Sequence, residues 1–242
     1  MAKMTREEFD LLQGVIENPD DVASRLVYAD WLEEHGEQKR ADFIRRHCES
    51  IPFTNGMGLA DKAVARRWKR FVPKEVRDYF SYEVNYNGGF LSASSIKVPN
   101  HCEELKTVVE LLFQYAPIRT LSLLPQAETG NVYFGAAIPM ATDFVRVLCE
   151  LPNLQRLSHL HLHCPFESME ETVNLIVQCP YLEQIRTLNF HLRYQSTSGN
   201  PYDWSGYEWG QMETQVVDDN LKKQLQKRFG NRVVWHTQGT GF

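Results

Sequence analysis

No uninterrupted apolar stretch in this chain approaches the roughly 18 residues that a membrane-spanning helix requires. The first residues, Met1-Ala-Lys-Met-Thr-Arg-Glu-Glu8, lack the apolar core of a secretory leader, so no membrane and a cytoplasmic location are expected. Cysteine is scarce and irregular. Cys48, Cys102, Cys149, Cys164 and Cys179 are odd in number and follow no framework spacing, which argues for reduced thiols; Cys149 and Cys179 close apolar helices and read as buried and inert. Catalytic signatures are missing as well: there is no phosphate-binding glycine loop, dinucleotide fingerprint, H-E-x-x-H or nucleophile elbow. No catalytic residue, metal or cofactor is therefore assigned.

What remains is an ordinary globular composition, 43% hydrophobic and 24% charged over 242 residues, enough for one large domain or one domain plus a small one. The net charge of −5 is unevenly spread. Residues 1–50 hold 7 basic and 12 acidic side chains, residues 51–100 hold 8 and 4. The basic excess sits in Lys62, Arg66, Arg67, Lys69, Arg70, Lys74 and Arg77. Such a run can contact phosphates, but without a nucleic-acid module signature a solvated helix face is the preferred reading.

Residues 5–50 read as a helical hairpin with a third helix. Thr5 and Glu8 have capping-box spacing, and Phe9, Leu12, Val15 and Ile16 form one apolar stripe. Pro19 stops that helix, and Asp20 or Asp21 caps the next. Val22, Leu26, Ala29 and Leu32 form its expected inner stripe, Gly36 its end, and Phe43 and Ile44 supply the third helix. Tyr28 and Trp31 flank the stripe; packing within the chain is preferred over partner anchoring. The wording Arg25-Leu-Val-Tyr-Ala-Asp-Trp-Leu-Glu-Glu-His-Gly36, with Asn18-Pro-Asp-Asp21 before it and Arg40-Ala-Asp-Phe-Ile-Arg45 after, resembles the small repeat-companion domain of planctomycete-type bacterial proteins. Gly89-Phe90 and Arg228-Phe-Gly-Asn-Arg-Val233 extend that resemblance downstream. It implies a degenerate leucine-rich-repeat-like region after the helical domain and implies no activity.

The second half carries an internal echo. Leu151-Pro-Asn-Leu154, Leu157, Leu160 and Leu162 superpose on Cys179-Pro-Tyr-Leu182, Ile185, Leu188 and Phe190 at an offset of 28, within the range of leucine-rich repeats. Ala116–Leu123 is a looser copy, and Leu221, Leu225 and Phe229 with Arg232–His236 a fourth. Each strand follows a helical pattern: Leu105, Val108, Val109 and Leu112; then Phe144, Val147 and Leu148; then Val173, Ile176 and Val177. The usual asparagine after the strand is absent, with Pro125 or Gln126, Pro165 and Arg193 near its place, and the first interval, from Leu121 to Leu160, is longer. The predicted fold is α/β: a short leucine-rich-repeat-like solenoid with parallel strands, preceded by a small all-helical domain. The domains expected are 1–50, a basic helical connector over 51–87, and the array over 88–242, with Phe90–Val98 as a first capping strand.

Strand alternation sends Leu160 and Leu162 inward and His159, His161 and His163 outward. The offset places His191 beside His163, about 4.8 Å away, and His236 extends the row. Such a face suits polar or pH-sensitive contacts, with metal binding the weaker alternative. The stretch 194–216 fits no repeat; Tyr194, Tyr202, Trp204, Tyr207 and Trp209 lie among small polar residues, a composition favoured at recognition surfaces. The reading is a non-enzymatic module binding a protein partner through Ser122, His161, His163, Asn189, His191, Tyr202, Trp204, Tyr207 and Trp209. The alternatives are a metal-dependent enzyme on His159, His161, His163 and His191, or nucleic-acid binding through 62–77.

Overall fold

A computed structural model describes residues 4–49, 79–87, 89–97, 99, 101–124, 140–163, 166–195 and 212–236. The chain divides into two compact units, one of residues 1–94 and 108–119, the other of 95–107 and 120–242. Neither expected boundary, at 50 or at 87, coincides with this division. Among the described residues no helix is long and apolar enough to cross a membrane.

In the first unit, helices α1 (Arg6–Glu17), α2 (Val22–Glu34) and α3 (Gln38–Glu49) form where the sequence places them. Thr5 caps α1, its hydroxyl accepting from the Glu8 amide at 3.1 Å. The reciprocal half of the box is replaced: the Glu8 carboxylate accepts from the Tyr28 hydroxyl and from Arg40, each at 3.2 Å. Asp21 rather than Asp20 caps α2, accepting from the amides of Ala23 and Ser24. The inner stripe of α2 is a correction. It runs through Arg25, Tyr28, Ala29 and Leu32, while Val22 is 43% exposed and Leu26 half-buried. Amphipathic side chains explain the change of phase. Arg25 and Tyr28 fill core volume with their stems and rings while their polar ends find the Pro19 carbonyl and Glu8.

The core of this unit joins Leu12, Val15, Ile16, Tyr28, Ala29, Leu32, Ala41 and Ile44 to Phe90, with Trp31 and Tyr115 packed against it. Phe90 begins strand β2 (Phe90–Lys97), so a residue expected in the downstream array completes the helical core instead. Residues 80–87, expected to end a helical connector, form strand β1 (Phe80–Asn87), the neighbour of β2. The signal is the period of two in Phe80, Tyr82, Val84 and Tyr86, each followed by a polar residue. Residues 51–78, with the basic run at 62–77, lie outside the described residues.

Helix α4 (Cys102–Tyr115) separates β2 from β3 (Thr120–Leu124). The second unit then alternates helix, 3-10 turn and strand. Helix α5 (Thr142–Cys149) and a turn over Pro152–Arg156 lead to β4 (His159–His163). Helix α6 (Met169–Gln178) and a turn over Pro180–Leu182 lead to β5 (Thr187–His191). Helix α7 (Asp219–Phe229) and a turn over Gly230–Arg232 lead to β8 (Val233–His236). Prolines open the first two turns, where φ is already suited and no amide is needed. Strands β2, β3, β4, β5 and β8 form a five-strand parallel sheet in that order. Helical crossovers between parallel strands demand this arrangement.

Leu121 pairs with Leu160, Leu160 with Leu188 and Leu188 with Val233, so residues 28 apart do stand side by side on β4 and β5. Leu121, Leu123, Leu160, Leu162, Leu188 and Phe190 are buried against the helices. Between β5 and α7, β6 (Arg193–Gln195) and β7 (Met212–Thr214) pair antiparallel. Just beyond β4, the Gln215 side-chain amide takes both backbone bonds of Phe166, accepting from its amide at 3.1 Å and donating to its carbonyl at 2.9 Å.

A candidate interaction face on the parallel sheet

Opposite the leucines, alternation turns a second set of side chains outward. These are Thr120, Ser122 and Leu124 on β3, His159, His161 and His163 on β4, Thr187, Asn189 and His191 on β5, and Val234 and His236 on β8. The register aligns them in rows: Thr120, His159 and Thr187; Ser122, His161, Asn189 and Val234; His163, His191 and His236. None carries a formal charge through Asp, Glu, Lys or Arg, in a chain where 24% of residues are charged. All are half-buried except Asn189, which is 6% exposed.

The strand spacing of about 4.8 Å matches the thickness of stacked rings. His163 lies face to face on His191, with centroids 4.0 Å apart and planes 1° from parallel, and His191 on His236 at 4.4 Å and 10°. His161 lies one row away, its ring centroid 5.7 Å from that of His191. Asn189 ties the rows together. Its amide nitrogen donates to the His161 ring, 3.2 Å from Nε2 and 3.3 Å from Nδ1, and its oxygen accepts from His236 Nε2 at 3.2 Å. His191 Nε2 and His161 Nδ1 are 3.4 Å apart.

At His161, His163 and His191 burial is the first cause of low basicity, and neighbouring imidazoles add to it. The pKa of His163 falls to about 3, and those of His161 and His191 to about 4. His159 is also lowered, by burial and then by Arg186. His161, His163 and His191 are thus neutral throughout the physiological range. An acid-triggered change is expected well below the pH at which free histidine titrates.

Among the described residues, no group of three or more His, Cys, Asp or Glu is arranged to hold a metal ion. Of the residues singled out from sequence, Ser122, His161, His163, Asn189 and His191 come together here, joined by His159 and His236. Asn189 sits under the histidines as a buried bridge. Tyr202, Trp204, Tyr207 and Trp209, and also Cys164, lie outside the described residues; β6 and β7 hold together the two ends of the segment that carries those aromatics. Sequence reasoning missed Thr120 and Thr187, although the same offsets place them. It also read Cys149 and Cys179 as separate inert thiols, whereas they are neighbours. Comparison with protein-family models, curated proteins and solved structures finds no match to this chain.

Proposed function

We propose that this chain is a non-enzymatic interaction module that binds a protein partner on the outward face of β3, β4, β5 and β8. The observation that carries this reading is the absence of formal charge from every outward position of those strands. Depletion of charged residues marks the cores of protein interfaces, where desolvating a fixed charge costs more than its contacts return. The imidazoles of His161, His163 and His191, the hydroxyls and Asn189 offer hydrogen bonds and flat ring surface without that cost. We further read the four helix–strand units as a short leucine-rich-repeat-like array following a repeat-companion-like domain, in a cytoplasmic setting, with the aromatic residues of 194–216 contributing to partner binding.

Placing charge on the face tests the proposal. Ser122→Arg and His159→Glu should each lower recovery of a stoichiometric protein partner from native lysate by at least tenfold, with far-ultraviolet circular dichroism and melting temperature preserved. Undiminished recovery in both variants would remove the face from the interface. Recovery of nucleic acid alone would move the function to the basic segment.

A further inference from the structure

On the helical side of the second unit, Cys149 ends α5 and Cys179 follows α6, which packs on α5. The Cys179 thiol donates to the Cys149 carbonyl oxygen at 3.5 Å, which makes the two cysteines neighbours. Arg228 of α7 brings a fixed positive charge: its guanidinium donates to the carbonyls of Ile176, at 3.3 Å, and of Val177 and Cys179. Thiolate character follows from such surroundings. Its contact with Cys149 and the nearby Arg228 lower the pKa of the Cys179 thiol, while the contact with Cys179 and burial push that of Cys149 up. Cys179 is 2% exposed and Cys149 half-buried, so a reagent reaches Cys149 first.

We propose that Cys149 and Cys179 form a dithiol–disulfide couple that exchanges with small-molecule disulfides of the glutathione type. Cys149, the more exposed of the two, gives its proton to solvent. The Cys149 thiolate then attacks one sulfur of the small disulfide, forming a mixed disulfide and expelling one small thiolate, which takes the proton from Cys179. The Cys179 thiolate attacks Cys149 Sγ, the protein disulfide forms, and the second small thiolate leaves and is protonated from solvent. Two electrons pass from the cysteine pair to the small disulfide, and two small thiols result.

The test is incubation of the folded full chain in buffers of increasing oxidised-to-reduced glutathione ratio, followed by acid quenching, alkylation and non-reducing peptide mapping. A peptide linking Cys149 to Cys179 should rise with the ratio, disappear on return to reduced glutathione, and accompany the loss of two alkylatable thiols. In Cys179→Ser, which lacks the resolving sulfur, a glutathione adduct should persist on Cys149. Should that variant not fold, the wild-type map decides by itself. The proposal is overturned if both thiols remain alkylatable at ratios that modify Cys48 or Cys102, if the wild type accumulates a stable adduct on Cys149 without the link, or if the link forms only in denaturant.

Discussion

At the scale of single residues, the histidines of the sheet face set a pH dependence whose sign follows from their environment. Unfolded, each titrates near 6.5; folded, His161 and His191 titrate at about 4 and His163 at about 3. As pH falls through 6.5 the unfolded chain takes up protons that the folded chain refuses. Stability is therefore full above about pH 6.5, declines from there to about pH 3, and levels off below the folded values. Melting temperature should drop by several degrees between pH 7 and pH 5. His163→Asn, which removes the most depressed of the three, should flatten that slope in a thermal scan across pH. A slope unchanged in the variant would mean that burial of this ring is not what the fold opposes. Asn189 shows the other side of residue-scale reading: its outward parity was legible, but its burial required knowing that His161 and His236 reach over it from both sides.

Among the elements, the most constrained junction is the start of β2. Gly89 has φ of +81°, and a Cβ there would stand 2.6 Å from Ile44 Cα in α3. Backbone conformation and close approach both demand glycine. Gly89→Ala should cost more than about 1 kcal/mol, read as a lower denaturation midpoint at unchanged slope. Gly36, also at φ +81° but with open space around it, should be the milder site for the same change, through conformation alone. The helices were legible because caps and apolar spacing are local: Thr5, Asp21, Leu12 and Ile44 do what their positions announce. The phase of α2 was not, because which face of a weakly amphipathic helix turns inward depends on whether Arg25 and Tyr28 find acceptors, and those acceptors come from Pro19 and from another helix.

For the molecule as a whole, the division of the chain into units departs from the division of its motifs. Residues 1–50 have the wording of a self-contained domain, yet Phe90 belongs to their core and Tyr115 packs on it. A fragment of residues 1–50 should accordingly retain less helix per residue by circular dichroism than the same segment in the full chain, and melt without a cooperative transition. A sharp, two-state melt of the isolated fragment would show that Phe90 and Tyr115 are dispensable to that core.

Sequence alone determined the local order of this protein: helix caps, the inward leucines of β3, β4 and β5, and the offset that sets His163 beside His191. These rest on periodicity and on the chemistry of neighbouring residues, which act over a few positions. Only the tertiary structure decided that β1 precedes β2 as a strand, that Phe90 closes the helical core, that the histidine rings stack, and that Cys149 meets Cys179 near Arg228. Each depends on groups distant in sequence arriving at one place, and no local pattern encodes that distance.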